Sequence, residues 1–381
     1  MFDPWVASPK RRSKNVRRRE TSSPGPPRPR DGHASTIHVS SDCTGFEPGI
    51  LSLRRLGIGS RVTAGFASDK ELHVREYLRA NFHHAQIFKD VTTRSNLALK
   101  RRLVKDGQVP DIYTAGFPCQ PFSQVGLRAG ASDPRGVVGL SVADTNKKIQ
   151  PKSFILENVP DILQEKHKPL LDAIMHEIRS AKDENNNAQV YDVTMKVLNC
   201  SDYGVPQSRR RLYIVGYKKS LAKRKFKWPG HIPMKMSFVK VIGKLKKKRT
   251  LKLPTGMGAL RRLLAGVEQV PRKRKARAHY IIDIDSSKVV IKKDVCPCVT
   301  RSRGATGGFW LPAHGERLGV ARMARFMSIP IKQLDMTKVS KRQQGMMLGN
   351  AWALHVSSAV IKNLVLCMGF ATEDEITDPF D

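Results

Sequence analysis

The residues best suited to chemistry lie at the end of a short apolar run. Residues 111–115 form a β-type run, Gly116 interrupts the run, and Cys119 directly follows Pro118. A thiolate is a strong nucleophile but a minor species at neutral pH, so a working cysteine needs surroundings that activate it. Pro118 restricts the backbone around it and would hold the sulfur in one pose. Because open α/β sheets bind ligands where their strands end, this placement indicates nucleophilic catalysis rather than a buried apolar cysteine.

Three further strings follow in the chain. They are FILENVPDIL (154–163), YGVPQSRRRLYIVG (203–216) and GNAWALHVSSAV (349–360). With GFPCQPFS around Cys119, these strings resemble the ordered motifs of the cytosine-C5 methyltransferases. The resemblance covers roughly residues 36 to 370, which is nearly the whole chain apart from its two ends.

The resemblance assigns roles to several side chains around a flipped-out cytosine. Cys119 would attack C6 of the base, which makes C5 able to accept a methyl group from S-adenosylmethionine. Glu157 would contact N3 and the exocyclic amine and favour the protonated ring. Arg209 and Arg211 would face the same pocket, with Arg211 on the base carbonyl. Further substrate contacts are expected from Gln120, Ser123 and Gln207.

The cofactor would bind at the turns that follow the first strands. Residues 36–39 form a strand that leads into a glycine turn and a helix, a geometry that brings backbone N–H groups to a ligand. Asp69, at the end of a second strand, matches the acidic position that contacts ribose hydroxyls. Thr44 stands where the family usually carries an aromatic residue. The implied cofactor contacts are Asp42, Gly45, Gly49, Asp69, Asp90, Val138, Asn350 and Ala351.

Strand and helix patterns alternate along the chain, as they must to position these residues. This alternation predicts an α/β fold with a doubly wound sheet, and the resemblance makes it the Rossmann-like sheet of S-adenosylmethionine-dependent methyltransferases. A smaller target-recognition domain would interrupt it. The predicted divisions are a disordered basic arm (1–35), the first catalytic part (36–217), the target-recognition domain (218–295), the returning catalytic part (296–370) and a frayed acidic tail (371–381).

The charge of the chain indicates a polyanionic partner. Its 68 Lys and Arg residues against 33 Asp and Glu give a formal net charge of +35. Double-stranded DNA that contains cytosine is the expected partner, and the basic runs 244–249 and 272–277 are expected to contact its phosphates. No apolar run is long enough to span a bilayer, so a membrane partner is not expected. We also expect a monomer.

The cysteines do not form a recognisable framework. Six of them are scattered over the chain, and a thiolate mechanism would require a reducing compartment. Cys296 and Cys298 form a close pair, but no second pair stands at zinc-like spacing, so no metal is predicted. The expected location is the nucleus in a eukaryotic host and otherwise the cytoplasm or nucleoid.

The leading hypothesis is a DNA cytosine-C5 methyltransferase. A tRNA methyltransferase of the same family is one alternative, although its CFT-and-tyrosine signature is absent from this chain. A catalytically inert DNA-binding homologue is the other. The intact Cys119, Glu157, Arg209 and Arg211 favour an enzyme, whereas the altered glycine turn at 42–49 favours the inert homologue.

Overall fold

The computed structural model describes residues 35–118, 134–245 and 251–377, with side chains from residue 137 onward in the second range. Its main sheet has seven strands in the order β3-β2-β1-β4-β5-β7-β6. The first five in chain order are parallel, whereas β7 runs antiparallel to both of its neighbours. The strands are β1 (Ile37–Asp42), β2 (Val62–Ser68), β3 (Gln86–Phe88), β4 (Ile112–Ala115), β5 (Ser153–Asn158), β6 (Tyr191–Asn199) and β7 (Arg210–Lys218).

Helices cover both faces of this sheet, which explains why its central strands are buried throughout. Every residue of β4 and β5 is buried, as expected for a parallel strand between two helical layers. This architecture confirms the predicted doubly wound α/β class. The helices of this part are α1 (Pro48–Arg55), α2 (Leu72–Asn81), α3 (Asn96–Lys105), α4 (Pro134–Ile149) and α5 (Lys168–Arg179).

The strand order reverses between β1 and β4. From β1 the chain proceeds outward through β2 to β3, and then returns to place β4 and β5 on the other side. At such a switch point the connections leave in opposite directions, and a crevice opens beyond the carboxyl ends of the strands. The turn after β1 and the segment after β4 therefore face each other across this crevice.

A second, smaller sheet follows in the chain, in the order β11-β10-β8-β9. Its own apolar core contains Leu263, Ile282 and Trp310. Two of its strands lie beyond residue 295, so the sheet extends across the predicted domain boundary, and the division itself stays a prediction. The elements here are α6 (Phe238–Ile242), α7 (Met257–Glu268), α8 (Arg274–Arg277), β8 (Tyr280–Asp283), β9 (Val290–Lys293), α9 (Arg301–Ala305), β10 (Trp310–Leu311) and β11 (Glu316–Arg317).

The chain then returns to the main sheet through α10 (Gly319–Phe326), α11 (Lys341–Asn350) and α12 (Leu354–Met368). The last helix packs beside the first: the hydroxyl groups of Ser52 in α1 and Ser357 in α12 lie 2.9 Å apart and both are buried. Helices α9 and α11 approach backbone to backbone at Gly304 and Gly345, where a methyl group on either glycine would overlap the other's carbonyl group.

The segment after Ala371 was predicted to fray, and for the part that the structure describes this is wrong. The amide of Thr377 donates to the carbonyl of Leu56 at 3.0 Å, and Ile376 packs against the main core. Arg61 holds the same segment through Glu375, at 3.1 Å. Acidic residues bind here because the surface beneath them is basic, a complementarity that composition alone does not show.

No single helix in the described ranges has the length and apolar composition needed to cross a bilayer. The pair α11 and α12 passes that test only when taken together, with a bend of 46° between them.

Candidate active site

A cavity of about 590 Å³ opens beyond the carboxyl ends of β1, β2, β4 and β5. Its volume lies in the range typical of small-molecule sites. The turns after β1, β2 and β3 line one end, and β5 with the start of β7 lines the other. Helix α11 contributes its last residues. Of the predicted site residues, the structure brings together Gly45, Asp69, Asp90, Val138, Glu157, Arg209, Arg211 and Asn350.

Asp69 organises the first end of the cavity. Its Oδ2 accepts a hydrogen bond from the Gly45 amide and its Oδ1 one from the Glu71 amide, both at 3.0 Å. Burial raises the pKa of Asp69 to about 6, although these two hydrogen bonds oppose the shift. The carboxyl group therefore links the turns after β1 and β2 while it lines the cavity.

Asp90 lines the same end from the turn after β3. Its Oδ1 accepts from both the amide and the hydroxyl group of Thr92, at 2.9 and 2.8 Å. These bonds fix the carboxylate at the start of a short helical turn. Val138, in α4, and Asn350, at the end of α11, complete this end from the opposite sides of the crevice.

Three predicted cofactor contacts do not line the cavity. Asp42 is fully buried, and its carboxylate is bound by Arg94 instead. Gly49 lies inside α1, where it allows close packing against Val39. Ala351 is buried, and its carbonyl accepts a hydrogen bond from a neighbouring arginine. Each of the three residues has packing partners within the fold, and its cofactor contact stays a prediction.

Cys43 lines the cavity, and sequence reasoning passed over it in favour of its neighbour Thr44. Its backbone is left-handed, with φ of 50°, whereas the Thr44 hydroxyl donates to the Ser68 carbonyl at 3.0 Å. Burial raises the pKa of the Cys43 thiol well above its usual range, and the carboxylates of Asp69 and Asp42 raise it further. The reversed backbone turns the thiol toward the site, and no pattern in the sequence signals such a turn.

Glu157 and Arg211 form the opposite end. Nε of Arg211 lies 3.0 Å from Oε1 of Glu157. The glutamate is only 6% exposed, and burial raises its pKa above the usual range although the guanidinium groups of Arg211 and Arg209 oppose the shift. A carboxyl group whose pKa is raised keeps its proton to higher pH than a free glutamate does, which favours a role as a general acid.

Arg209 lies behind this pair and contacts backbone. Its guanidinium group donates to the carbonyls of Val299 at 2.8 Å, Gly349 at 3.1 Å and Ala351 at 2.7 Å. The residue is 1% exposed and lines the cavity through its remaining surface. This geometry holds the end of α11 against β7, and the catalytic role of Arg209 stays a prediction.

Two further side chains surround the arginines. Cys298 Sγ lies 3.3 Å from Nη1 of Arg209 and 3.7 Å from Nη2 of Arg211. Although burial opposes the shift, these guanidinium groups lower the pKa of the Cys298 thiol. Gln207 is fully buried and does not line the cavity, so its predicted substrate contact is not formed by this arrangement.

The predicted nucleophile Cys119 and the predicted contacts Gln120 and Ser123 lie outside the described residues. The segment that leads to them does line the cavity, from Gly116 to Pro118. Trp352, which follows the GNA motif, closes over Gly116, and a methyl group there would lie 2.5 Å from its Nε1. Residues 116–118, which directly precede Cys119, are therefore part of the cavity wall.

The family model described as "C-5 cytosine-specific DNA methylase" matches residues 41–365, which is most of the chain. The chain belongs to this family. Its cavity unites the turns after β1 and β2 with the ENV, QSRRR and GNA strings, so the family's motifs converge on one site. The recognition made from sequence is confirmed.

Among named relatives, type II methyltransferase M.MthTI of Methanothermobacter thermautotrophicus is 36% identical over 144 residues, which cover 37% of this chain and 41% of that protein. M.HpaII of Haemophilus parainfluenzae is 34% identical over 131 residues, which cover 34% and 35%. The chain therefore spans less than half the length of the curated relatives it matches.

Solved structures of methyltransferases share the fold. The structure of Schizosaccharomyces pombe Dnmt2 methyltransferase superposes with a TM-score of 0.60 at 16% identity. The superposition covers 87% of this chain and 98% of that one. The Entamoeba histolytica methyltransferase EhMeth gives a TM-score of 0.58 at 16% identity, with coverage of 87% and 98%. At this identity the likeness concerns the fold, and it confirms the predicted fold class.

The family site also contains residues that the motifs did not indicate. Lys70, Glu71 and His73 line the cavity from the start of α2, and Arg301 lines it from α9. Nη2 of Arg301 lies 2.8 Å from Oε1 of Glu71, so an ion pair joins two parts of the chain that are 230 residues apart. Only the folded structure reveals this contact, because neither residue belongs to a motif.

Proposed function

We propose that this chain transfers a methyl group from S-adenosylmethionine to C5 of cytosine in DNA. The observation that carries the proposal is the buried ion pair of Glu157 and Arg211. It lies in the same cavity as the carboxyl groups of Asp69 and Asp90, and beside the segment that leads to Cys119. The acid, the carboxyl groups expected to bind the cofactor and the segment that precedes Cys119 therefore border one cavity.

The cavity residues fit the cofactor. Asp69 ends β2 where ribose hydroxyl groups would bind, and Gly45 presents open space in place of a side chain. Asp90, Val138 and Asn350 would surround the rest of the molecule. When bound, S-adenosylmethionine supplies an electrophilic methyl group.

Glu157 would activate the base for attack. Its carboxyl group donates a proton to cytosine N3 as the Cys119 sulfur forms a bond to C6, so that the negative charge entering the ring is neutralised. C5 would then have enamine character and take the methyl group from the sulfonium of the cofactor, with S-adenosylhomocysteine as the leaving group. The pKa of Glu157 is raised by burial, which favours the protonated carboxyl that this step requires.

Arg211 would hold Glu157 and the base in the correct relative orientation. Its Nε faces the carboxylate, and its Nη1 donates to the carbonyl of Arg210 at 2.7 Å. These contacts fix the orientation of the guanidinium group, so that it can contact the base carbonyl. In the final step, a base would remove the C5 proton, which restores the double bond and releases the Cys119 thiolate from C6, while N3 returns its proton to Glu157.

The substrate must leave the helical stack before this chemistry can occur, because C6 is attacked from the face of the ring. Flipping costs a few kcal/mol of stacking and pairing, which protein contacts must offset. Exposed Lys and Arg side chains of the predicted target-recognition domain would supply phosphate contacts. We propose that the logarithm of DNA affinity falls linearly with the logarithm of the salt concentration. These cations are Arg272, Lys273, Lys275, Lys292 and Lys293.

A covalent trap tests the proposal directly. Amplified DNA fragments in which 5-fluorocytosine replaces cytosine contain every short sequence. The unknown recognition site is therefore represented among them. Fluorine at C5 blocks the last elimination, and we expect a denaturant-resistant adduct only when S-adenosylmethionine is present. Cys119→Ser is the control that should form none. An absence of adduct on DNA overturns the proposal, and an adduct on RNA alone assigns the chain to tRNA-type substrates.

We further propose that the active form is a monomer, and that it acts in the compartment that holds the genome, which is the nucleus in a eukaryotic host. Sedimentation of the trapped complex tests the first statement, because one chain per adduct is expected. Imaging of a tagged chain tests the second.

A further inference from the structure

Arg94 lies beneath the first end of the cavity and belongs to none of the family strings. Its side chain is 2% exposed. Nη1 and Nη2 each lie 2.8 Å from one oxygen of the Asp42 carboxylate, which makes the pair bidentate. Paired hydrogen bonds of this kind define both the distance and the orientation of the two groups.

The Asp42 carboxylate also accepts hydrogen bonds from side chains of two more strands. Its Oδ2 accepts from the hydroxyl group of Tyr113 at 2.6 Å, and its Oδ1 from that of Ser68 at 2.5 Å. These residues lie in β4 and at the end of β2, while Asp42 ends β1. One carboxylate therefore joins three strands at the edge of the crevice, and Arg94 balances its charge.

Arg94 also reaches the helix layer. Its Nη2 donates to Thr145 Oγ1 in α4 at 2.9 Å, and its Nε to Asn96 Oδ1 at 3.0 Å. The guanidinium carbon lies 4.7 Å from the ring centre of Phe66 and 5.1 Å from that of Phe88, which adds cation–π contacts. The side chain thus links the strand ends to α4.

Each group in this network is close in sequence to a residue of the cavity wall. Asp42 precedes Cys43, Ser68 precedes Asp69, and α4 continues from Val138 to Thr145. A shift of the network would move these wall residues directly. Small displacements of binding groups are costly, because affinity depends on distances defined to a fraction of an ångström.

We propose that Arg94 is a positioning residue for the cofactor end of the cavity, acting through Asp42 and Thr145. The inference rests on the proposed function, since it takes S-adenosylmethionine as the ligand. It assigns to Arg94 the alignment of the turns after β1 and β2 with α4, and not contact with the reacting atoms.

Arg94→Ala tests this with calorimetric binding of S-adenosylmethionine and its product S-adenosylhomocysteine. We expect both dissociation constants to rise roughly tenfold to a hundredfold, while DNA affinity stays within about twofold. Arg94 also lines two surface grooves, so low-millimolar guanidinium ion can reach the space it leaves and should restore cofactor binding. Ammonium at equal ionic strength should not. Arg102→Ala, an exposed neighbour on one of these grooves, is the matched control and should bind as the wild type does.

Folding is checked by circular dichroism before binding is measured. If Arg94→Ala does not fold, Thr145→Val removes one arm of the network while keeping the ion pair, and we then expect a few-fold weaker cofactor binding. A folded Arg94→Ala that binds cofactor as tightly as the wild type, or a loss that guanidinium does not restore, overturns the assignment.

The wild-type adduct on 5-fluorocytosine DNA separates the two proposals. If it forms and Arg94→Ala binds normally, only the role of Arg94 falls. If no adduct forms but cofactor binding depends on Arg94, only the proposed reaction falls. If the wild type binds no cofactor, both are overturned.

Discussion

Nε of Arg211 lies 3.0 Å from Oε1 of Glu157, and this contact joins the antiparallel strands β5 and β7 inside the cavity. The pair holds a largely buried carboxyl group in place without fully suppressing its raised pKa. An acid and the group that orients it therefore lie on two hydrogen-bonded strands of one sheet, which makes the arrangement rigid.

Replacing Glu157 with glutamine should leave the shape of this site and remove its proton. We expect Glu157→Gln to lower the methyl-transfer rate by about 10²- to 10⁴-fold, the usual contribution of a general acid, with cofactor affinity unchanged. Single-turnover transfer of radiolabelled methyl groups to DNA measures the rate. Glu165→Gln is the control, because that side chain is 92% exposed. A Glu157→Gln protein with more than half the wild-type rate would contradict the role.

Cofactor affinity should depend on pH through Asp69, whose pKa burial raises from 3.8 to about 6. The ionised carboxylate accepts hydrogen bonds from hydroxyl groups, so affinity should be full above this value and weaken as the pH falls through it. The decline should approach tenfold per pH unit in the acid range. Calorimetric titration between pH of about 5 and about 8 measures it. Asp69→Asn should bind weakly with no such dependence, and an equally flat wild-type curve would refute the prediction.

The Arg301 and Glu71 pair should slow cofactor release. Both residues line the cavity and are about half exposed, so the pair contributes modestly, and we expect Arg301→Glu or Glu71→Arg to raise the dissociation rate about two- to fivefold. Combining both substitutions should restore the wild-type rate. Stopped-flow release of cofactor at low salt is the measurement, and high salt should erase the differences. If the double variant releases cofactor as fast as the single variants, the pair plays no such part.

Gly116 should not tolerate a side chain while Trp352 is present. The added methyl group of Gly116→Ala would lie 2.5 Å from Trp352 Nε1, and Trp352 is itself packed edge-on against Tyr213 at 5.8 Å between ring centres. We expect a loss of about 1–3 kcal/mol in the free energy of unfolding, as for other overpacked sites, together with lower activity. Urea denaturation measures the loss.

The second substitution Trp352→Leu should recover part of the stability of Gly116→Ala by making space. Gly230→Ala is the matched control, because nothing lies within 4 Å of the added methyl group. Equal stabilities for Gly116→Ala and Gly230→Ala would show that the tryptophan yields without cost.

His355 should make the fold sensitive to acid. It is fully buried at the start of α12, and burial, assisted by the charge of Arg55, lowers its pKa to about 3. The unfolded chain therefore binds a proton below pH of about 6.5 that the folded chain excludes. Stability should fall with decreasing pH by up to about 1.4 kcal/mol per unit. His355→Leu should reduce this slope in urea titrations, whereas exposed His83→Gln should not; equal slopes would contradict the assignment.

The sheet and much of the site were predictable because they depend on local patterns. Short apolar runs marked the strands, and the strand ends in an open α/β sheet converge wherever the order reverses. Asp69, Glu157 and Arg211 therefore came together as expected. Their types and positions in the chain contained enough information to place them.

Other features depend on partners distant in sequence. Asp42 was expected in the cavity, but Arg94, 52 residues later, binds it beneath the wall. Cys43 faces the cavity because its backbone adopts a left-handed conformation, which a non-glycine residue rarely does. Strand β10 has two residues, too few for any periodicity to be seen. In each case tertiary contacts, and not the local sequence, determine the conformation and surroundings of the residue.

The small sheet has a practical consequence for protein engineering. Trp310 in β10 pairs with Ile282 in β8, so strands from either side of residue 295 are hydrogen-bonded to each other. A chimera joined to a relative at that residue would separate these strands and expose their shared core. Transplants that carry the chain through Arg317 would move the sheet whole, so the unit to exchange is longer than the segment 218–295 predicted from the sequence.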